Sequence, residues 1–446
     1  MTETVKIISP VDGSIYAERS LATAGDVGRA VAAAHAARRN WGAVAIAERG
    51  AILSRFVDAL LAKNDEIVPE LAWQMGRPVR YGGEKRGVEE RARHMIAIAE
   101  ESLAPSMRPE KPGFRRWIAR EPLGTVLVIA PWNYPFLTAV NSIVPALMAG
   151  NAVMLKHASQ TLLAGERFAE AMRAAELPEG LFQNLVLGHE DTEKLIASGA
   201  IDHINFTGSV EGGRRIERAA AGTFATLGLE LGGKDPAYVR ADADLGNAVE
   251  NLVDGSFFNS GQSCCGVERI YVEAPAYDEF IGRFVEIAGS WKLGNPLDPE
   301  TVVGPMARGG FADHVRRQTE EAVRAGAARH LNTRDERDRP GSPYLAPEVL
   351  TNVNHQMSVM REESFGPVVG IMKVKNDEEA VTLMNDSPYG LTASVWTADI
   401  DAAARIGERI ETGTVFANRC DYLDPALLWT GVKDTGKGGA LSEVGY

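Results

Sequence analysis

From residue 125 to residue 221 short apolar runs alternate with segments of helical spacing. The runs 125–130, 152–155, 182–187 and 203–207 read as strands, and 162–175, 191–198 and 211–221 read as helices. The run 125–130 is apolar at nearly every position, as expected of a strand buried on both faces. Strands and helices that alternate in this way call for a parallel sheet with helices on both faces.

A second alternating region follows. Strands are expected at 270–272, 349–352, 368–373 and 393–397, and helices at 277–291, 311–325, 377–385 and 400–410. The polar, proline-bearing stretch 332–347 reads as a surface loop. Upstream, 5–20 reads as short strands about the turn Pro10-Val11-Asp12-Gly13, and 24–41, 47–63, 65–75 and 84–102 read as helices. Pro105, Pro109, Pro112 and Gly113 break the pattern; 114–121 then alternates, giving a hairpin arm that feeds the strand at 125–130.

With 446 residues the chain holds two or three domains at roughly 100–200 residues each. The net charge of −13 comes without a basic stripe, which argues against nucleic acid as a partner. Cys264, Cys265 and Cys420 are too few for a disulfide framework, and no CxxC pair suggests a metal. The start, 1–8, lacks a basic segment followed by an apolar run, and the longest apolar tract, 143–155, is broken by Pro145 and Gly150. The expectation is a cytoplasmic protein with no membrane association.

Three tracts carry chemistry. Gly261-Gln262-Ser263-Cys264 presents a thiol after a glycine turn, where a lowered pKa would make it nucleophilic. Glu230, framed by Leu229 and Leu231, is a carboxyl suited to partial desolvation and hence to base chemistry near neutral pH. Asn133, within Pro131-Trp132-Asn133-Tyr134-Pro135, offers an amide donor for a developing oxyanion. Singly, each has a plainer reading: a packed cysteine, a solvated glutamate, a turn asparagine. Together, with Glu230-Leu231-Gly232-Gly233-Lys234 complete, they resemble the aldehyde dehydrogenase superfamily.

The resemblance runs from about residue 7 to the end, and includes Glu363-Ser364-Phe365-Gly366-Pro367 and Asn385-Asp386-Ser387-Pro388-Tyr389-Gly390. It implies an α/β architecture: a Rossmann-like parallel-sheet cofactor domain at 1–103 and 123–232, a β-hairpin oligomerisation arm at 104–122, a second α/β catalytic domain at 233–433 and a C-terminal segment at 434–446. It makes Cys264 the nucleophile, Glu230 the general base and Asn133 the oxyanion donor, with Cys265 left to packing. The implied partners are a small-molecule aldehyde, NAD or NADP, and further copies of the chain in a homodimer or homotetramer. The variant loop Phe206-Thr207-Gly208-Ser209-Val210-Glu211-Gly212-Gly213 would cradle the dinucleotide, using Gly208, Ser209 and Gly213 at a helix start. Lys156, at a strand's carboxyl end, would meet the adenosine ribose, and Glu363 the nicotinamide ribose, with Phe365, Trp132 and Leu231 close by.

The chain departs from the family pattern in places. His157 replaces a proline, and Ser159 replaces the glutamate of many NAD-preferring members, which leans the reading toward NADP. Members usually continue beyond the position of Tyr446 into a strand shared with a neighbouring subunit. Thr138, Asn141, Ser142 and residues 419–423 are candidate tunnel residues. Asn141 stands where semialdehyde-selecting members often carry arginine, which argues mildly against succinate semialdehyde unless Arg419 faces inward. Two alternatives stay open: a CoA-acylating dehydrogenase, against which Glu230 speaks, and a non-catalytic binding protein on the same fold.

Overall fold

The computed structural model describes residues 3–331 and 335–446. Two large sheets organise it. The first has six strands in the order Gly436–Lys437, Thr226–Glu230, His203–Thr207, Thr125–Ala130, Ala152–His157 and Phe182–Asn184. All neighbours in it are parallel except Gly436–Lys437, which runs against Thr226–Glu230. The order reverses at Thr125–Ala130: the next strand in sequence lies on one side of it and His203–Thr207 on the other. Ligands of open α/β sheets bind at such a reversal, beyond the carboxyl ends of the strands.

The second sheet runs Ala328–Arg329, Glu348–Thr351, Val368–Val374, Val267–Glu273, Asp235–Val239, Thr392–Trp396 and Thr414–Ala417. Only its first pair is antiparallel. The chain crosses from the first sheet to the second over residues 231–234. The catalytic candidates lie at this crossing.

Some expected elements changed. The helix Leu137–Met148 was not foreseen; it carries Pro145 and is apolar nearly all round, so burial erases the one-sided period that marks a surface helix. Leu245–Phe257 is a helix started by the Asp244 side chain, which accepts from the Asn247 N–H. Thr226–Glu230 and Asp235–Val239 are strands despite Gly228 and Pro236, residues that weaken a strand signal in sequence. The strand expected over 182–187 stops at Asn184, although Leu185 and Leu187 remain buried. Within the expected loop at 332–347, residues 332–334 lie outside the described residues, and its end is core rather than surface: Tyr344, Leu345 and Ala346 are buried. The arm pairs as strands between Ser106–Met107 and Trp117–Ile118, and an antiparallel bridge joins Lys111 to Phe114 nearer its tip. Among the described residues no helix is long and apolar enough to cross a membrane.

Candidate active site

Asn133 follows the central strand Thr125–Ala130 by three residues and is buried. Its side-chain Nδ2 donates to the Gln262 carbonyl at 3.1 Å, tying it to the turn that carries Cys264. Its own carbonyl accepts from Arg77 and from Asn259 Nδ2. Arg77 also donates Nε to Asn259 Oδ1 at 3.2 Å and pairs with Glu84, both side chains almost wholly buried. Glu84 in turn accepts from the Phe136 and Leu137 N–H groups at 3.0 and 2.7 Å, at the start of the helix Leu137–Met148. A carboxylate there satisfies amides that no helical carbonyl can reach. Asn133 is thus held from both ends by fully used polar groups.

Cys264 lies between the helix Leu245–Phe257 and the strand Val267–Glu273. The turn before it places Asn259 and Ser260 in the left-handed region, at φ 53° and 59°. Gln262 is pinned through both ends of its amide, donating to the Asn259 carbonyl at 3.0 Å and accepting from the Ala307 N–H at 2.8 Å. Cys264 keeps some exposure, whereas Cys265 is buried against the core. Packing is not its only role: the Cys265 thiol donates to Asp421 Oδ1 at 2.9 Å. The Cys264 side chain beside it, burial and the Asp421 charge all push the Cys265 thiol up. Burial also pushes the Asp421 carboxyl up to about 7.

Glu230 closes the strand Thr226–Glu230. Three residues on, the backbone of Gly233 runs so close to the Cys264 carbonyl that a Cβ there would overlap it. This is why a glycine stands at 233, and it brings base candidate and thiol candidate together. The Glu230 carboxyl retains a little accessible surface but is enclosed by dense protein. Burial pushes it up to about 7, against the opposing Thr207 hydroxyl, 3.3 Å away, and the charge of Arg91.

The remaining predicted residues gather beside this crossing. Glu363 accepts from the Gly233 N–H at 3.0 Å, and a Cβ on Gly232 would overlap its carboxyl; burial pushes it up to about 8. Its loop is fixed from below by Glu268, which accepts from Lys234 and from the Ser364 and Phe365 N–H groups. Phe365, at φ 49°, meets Trp132 edge-on with ring centres 5.5 Å apart. Leu231 is buried, and the helix Val210–Ala220 approaches it so closely that only glycine fits at 213. That helix begins at Ser209, whose Oγ accepts from the Gly212 N–H at 3.1 Å, with Gly208 just ahead.

Lys156 is buried at the end of Ala152–His157, and among the described residues no protein acceptor bonds its ammonium group. Desolvation alone pulls its pKa down to about 8, as for a cation awaiting an anionic or hydroxyl-bearing ligand. A buried, unsatisfied cation and a helix N-terminus at the carboxyl edge of a parallel sheet fit a dinucleotide. His157 replaces proline without loss of order: its Nε2 donates to the Pro135 carbonyl at 3.1 Å, its Nδ1 meets the Thr161 hydroxyl at 3.2 Å, and burial holds the ring neutral. Ser159 sits half-buried in the short turn Ser159–Thr161. Among the described residues no cluster of His, Cys, Asp or Glu is placed to hold a metal ion.

The sequence pattern of the Aldehyde dehydrogenase family matches residues 1–446. The chain belongs to the aldehyde dehydrogenase family. It is similar to the 3,6-anhydro-alpha-L-galactose dehydrogenase of Streptomyces coelicolor, 35% identical over 99% of this chain and 91% of that one. It is also similar to the succinate semialdehyde dehydrogenase [NAD(P)+] Sad of Escherichia coli, 34% identical over 98% of this chain and 94% of that one. Among solved structures, the succinic semialdehyde dehydrogenase of Streptococcus pyogenes, in complex with NADP+, superposes with a TM-score of 0.94 at 27% identity, covering 99% of this chain and 97% of that one. This member is accordingly an NAD(P)-dependent aldehyde dehydrogenase.

Several residues of the dehydrogenase site escaped the sequence reading. Arg77 and Glu84 are two of several charges in the stretch 77–86, and nothing in their spacing marks them as partners of a residue near 133. Asn259 did leave a trace, since Asn-Ser-Gly is a sequence tolerant of left-handed turns. Asp421 lies far from Cys265 in sequence and meets it only in the folded chain.

Proposed function

We propose that this dehydrogenase oxidises an aldehyde to the carboxylic acid through a covalent intermediate on Cys264, which Glu230 hydrolyses. The observation that carries the reading is the contact of Gly233 with the Cys264 carbonyl, which joins the end of the Glu230 strand to the thiol turn that Asn133 also grips. The Cys264 thiolate adds to the carbonyl carbon, giving a thiohemiacetal with negative charge on oxygen. Asn133 has a second amide hydrogen beyond the one given to Gln262; it and the Cys264 N–H stabilise that charge, where one such donor is worth about 3–4 kcal/mol. A nicotinamide held beside Trp132, Leu231 and Phe365 would supply the hydride acceptor needed for the thiohemiacetal on Cys264 to become a thioester. Glu230 then takes a proton from water, the hydroxide adds to the thioester carbon, the C–S bond breaks, and the acid departs with Cys264 left as thiolate.

Lys156 and Ser159 would receive the adenosine ribose, and Gly208, Ser209 and Gly213 the pyrophosphate. Glu363 would take the nicotinamide ribose, with Trp132, Leu231 and Phe365 shaping the nicotinamide end. Ser159 neither binds ribose hydroxyls strongly nor repels a 2′-phosphate, so NADP use is supported alongside NAD. The two sheets correspond to a cofactor domain and a catalytic domain, and the hairpin at 104–122 to an arm joining subunits of a homodimer or homotetramer. The relatives act on an anhydrosugar and a semialdehyde, so their names do not assign one substrate class.

The test is an aldehyde panel with both cofactors. Cys264→Ala abolishes oxidation, while Glu230→Gln releases one equivalent of reduced cofactor and stalls. Normal turnover by Glu230→Gln would remove the base assignment.

A further inference from the structure

Near the thiol turn and Glu230 lies a cation, Arg91, that the reaction above does not use. Arg91 lies on the helix Lys85–Ser102, next to the helix Leu137–Met148. Its Nη1 donates to the Leu137 carbonyl at 3.3 Å and lies 3.5 Å from Asn141 Oδ1, a long and weak contact. Among the described residues no carboxylate forms an ion pair with it; the charges of Cys265, Glu84, Glu230 and Asp421 act on it from farther away. The segment carrying Asp421 lies close by. The Tyr422 hydroxyl donates to Glu90 Oε1 at 3.0 Å, one residue before Arg91, and Asp421 accepts the thiol of Cys265, one residue after the nucleophile. Arg91, Asn141, Asp421 and the thiol turn are therefore neighbours in the folded chain.

Arg91 is half-buried, burial pulls its pKa down, and a partly desolvated guanidinium gains from an anionic partner. An anionic group on a bound molecule would supply the missing partner, in the bidentate geometry that guanidinium and carboxylate share. We propose that Arg91 receives a carboxylate on the substrate, so that the enzyme selects carboxylate-bearing semialdehydes; the proposal rests on the covalent reading above. Neither position expected from sequence supplies this cation. Asn141 is neutral, and Arg419 is exposed, stacked 4.1 Å above the Tyr422 ring. A phosphate is disfavoured, because Glu230 and Asp421 face the same guanidinium and repel a dianion more strongly than a monoanion.

The test compares kcat/KM for succinate semialdehyde, butanal and a phosphorylated triose aldehyde in the parent enzyme, Arg91→Met, Arg91→Lys and the double variant Arg91→Met/Asn141→Arg. The parent should prefer the semialdehyde to butanal. Arg91→Met should lower that preference about 10–100-fold, mainly through KM, as loss of one charged hydrogen-bonding partner does. Arg91→Lys should retain part of it, and the double variant should regain part by moving the guanidinium to the neighbouring helix. The ratio does not depend on the fraction of enzyme that folds. Equal use of butanal by the parent, preference for the phosphorylated aldehyde, or a parallel fall for all substrates in Arg91→Met would each overturn the assignment. An enzyme that oxidises no aldehyde would defeat the covalent reading as well, which separates the two failures.

Discussion

At the scale of single residues the site is governed by desolvation. Burial raises the Glu230 carboxyl to about 7, which suits the base role proposed for it. Only the deprotonated form takes a proton from water, so thioester hydrolysis should rise with pH through about 7 and level off above it. Single-turnover release of acid, followed after the burst of reduced cofactor, measures this. Glu230→Gln should lose both the rate and the inflection. A profile flat across neutral pH in the parent would place the base elsewhere. Asn133 is governed differently: Arg77, Glu84 and Asn259 satisfy one another around its carbonyl, fixing the amide before any substrate arrives. Preorganised donors of this kind need no rearrangement as charge develops.

At the scale of elements, the strand pair of Ser106–Met107 and Trp117–Ile118 stands apart. It is too short to be stable as an isolated ribbon, and it exposes Met107, Phe114, Trp117 and Ile118. Neighbouring apolar side chains left in water fit the subunit contact proposed for this arm. Trp117→Glu should therefore shift the enzyme toward monomers in analytical ultracentrifugation while leaving the far-UV spectrum of the folded chain unchanged. An unchanged sedimentation coefficient would take the arm out of the assembly. Elements were legible in sequence where a period survived. The strand at His203–Thr207 and the helix at Asp377–Asn385 stand as expected, but Leu137–Met148 did not show itself because every face of it is covered.

At the scale of the whole molecule, closing one sheet against the other buries carboxyl groups that the unfolded chain exposes. Glu363 is the clearest case, pushed up to about 8 where it rests on Gly232 and Gly233. Its folded pKa lies above the unfolded one, so across that window the native chain holds more protons, and stability falls as pH rises from the ordinary carboxylate range to about 8. Glu363→Gln removes this contribution. Its denaturant midpoint, relative to the parent, should rise between about pH 5 and about pH 8 in the absence of cofactor. A constant difference would show that Glu363 titrates normally. By itself the sequence determined the alternating α/β architecture and singled out Cys264, Glu230 and Asn133 as candidates, because strand and helix periods and short glycine-bearing motifs are local and survive in one dimension. Only the tertiary structure decided what surrounds them: the grip of Arg77 on Asn133, the bond from Cys265 to Asp421, and the placing of Arg91 beside Asn141 with no ion pair among the described residues. These are contacts between residues far apart in the chain, and their energies come from burial and missing partners, which exist only once the two sheets have closed.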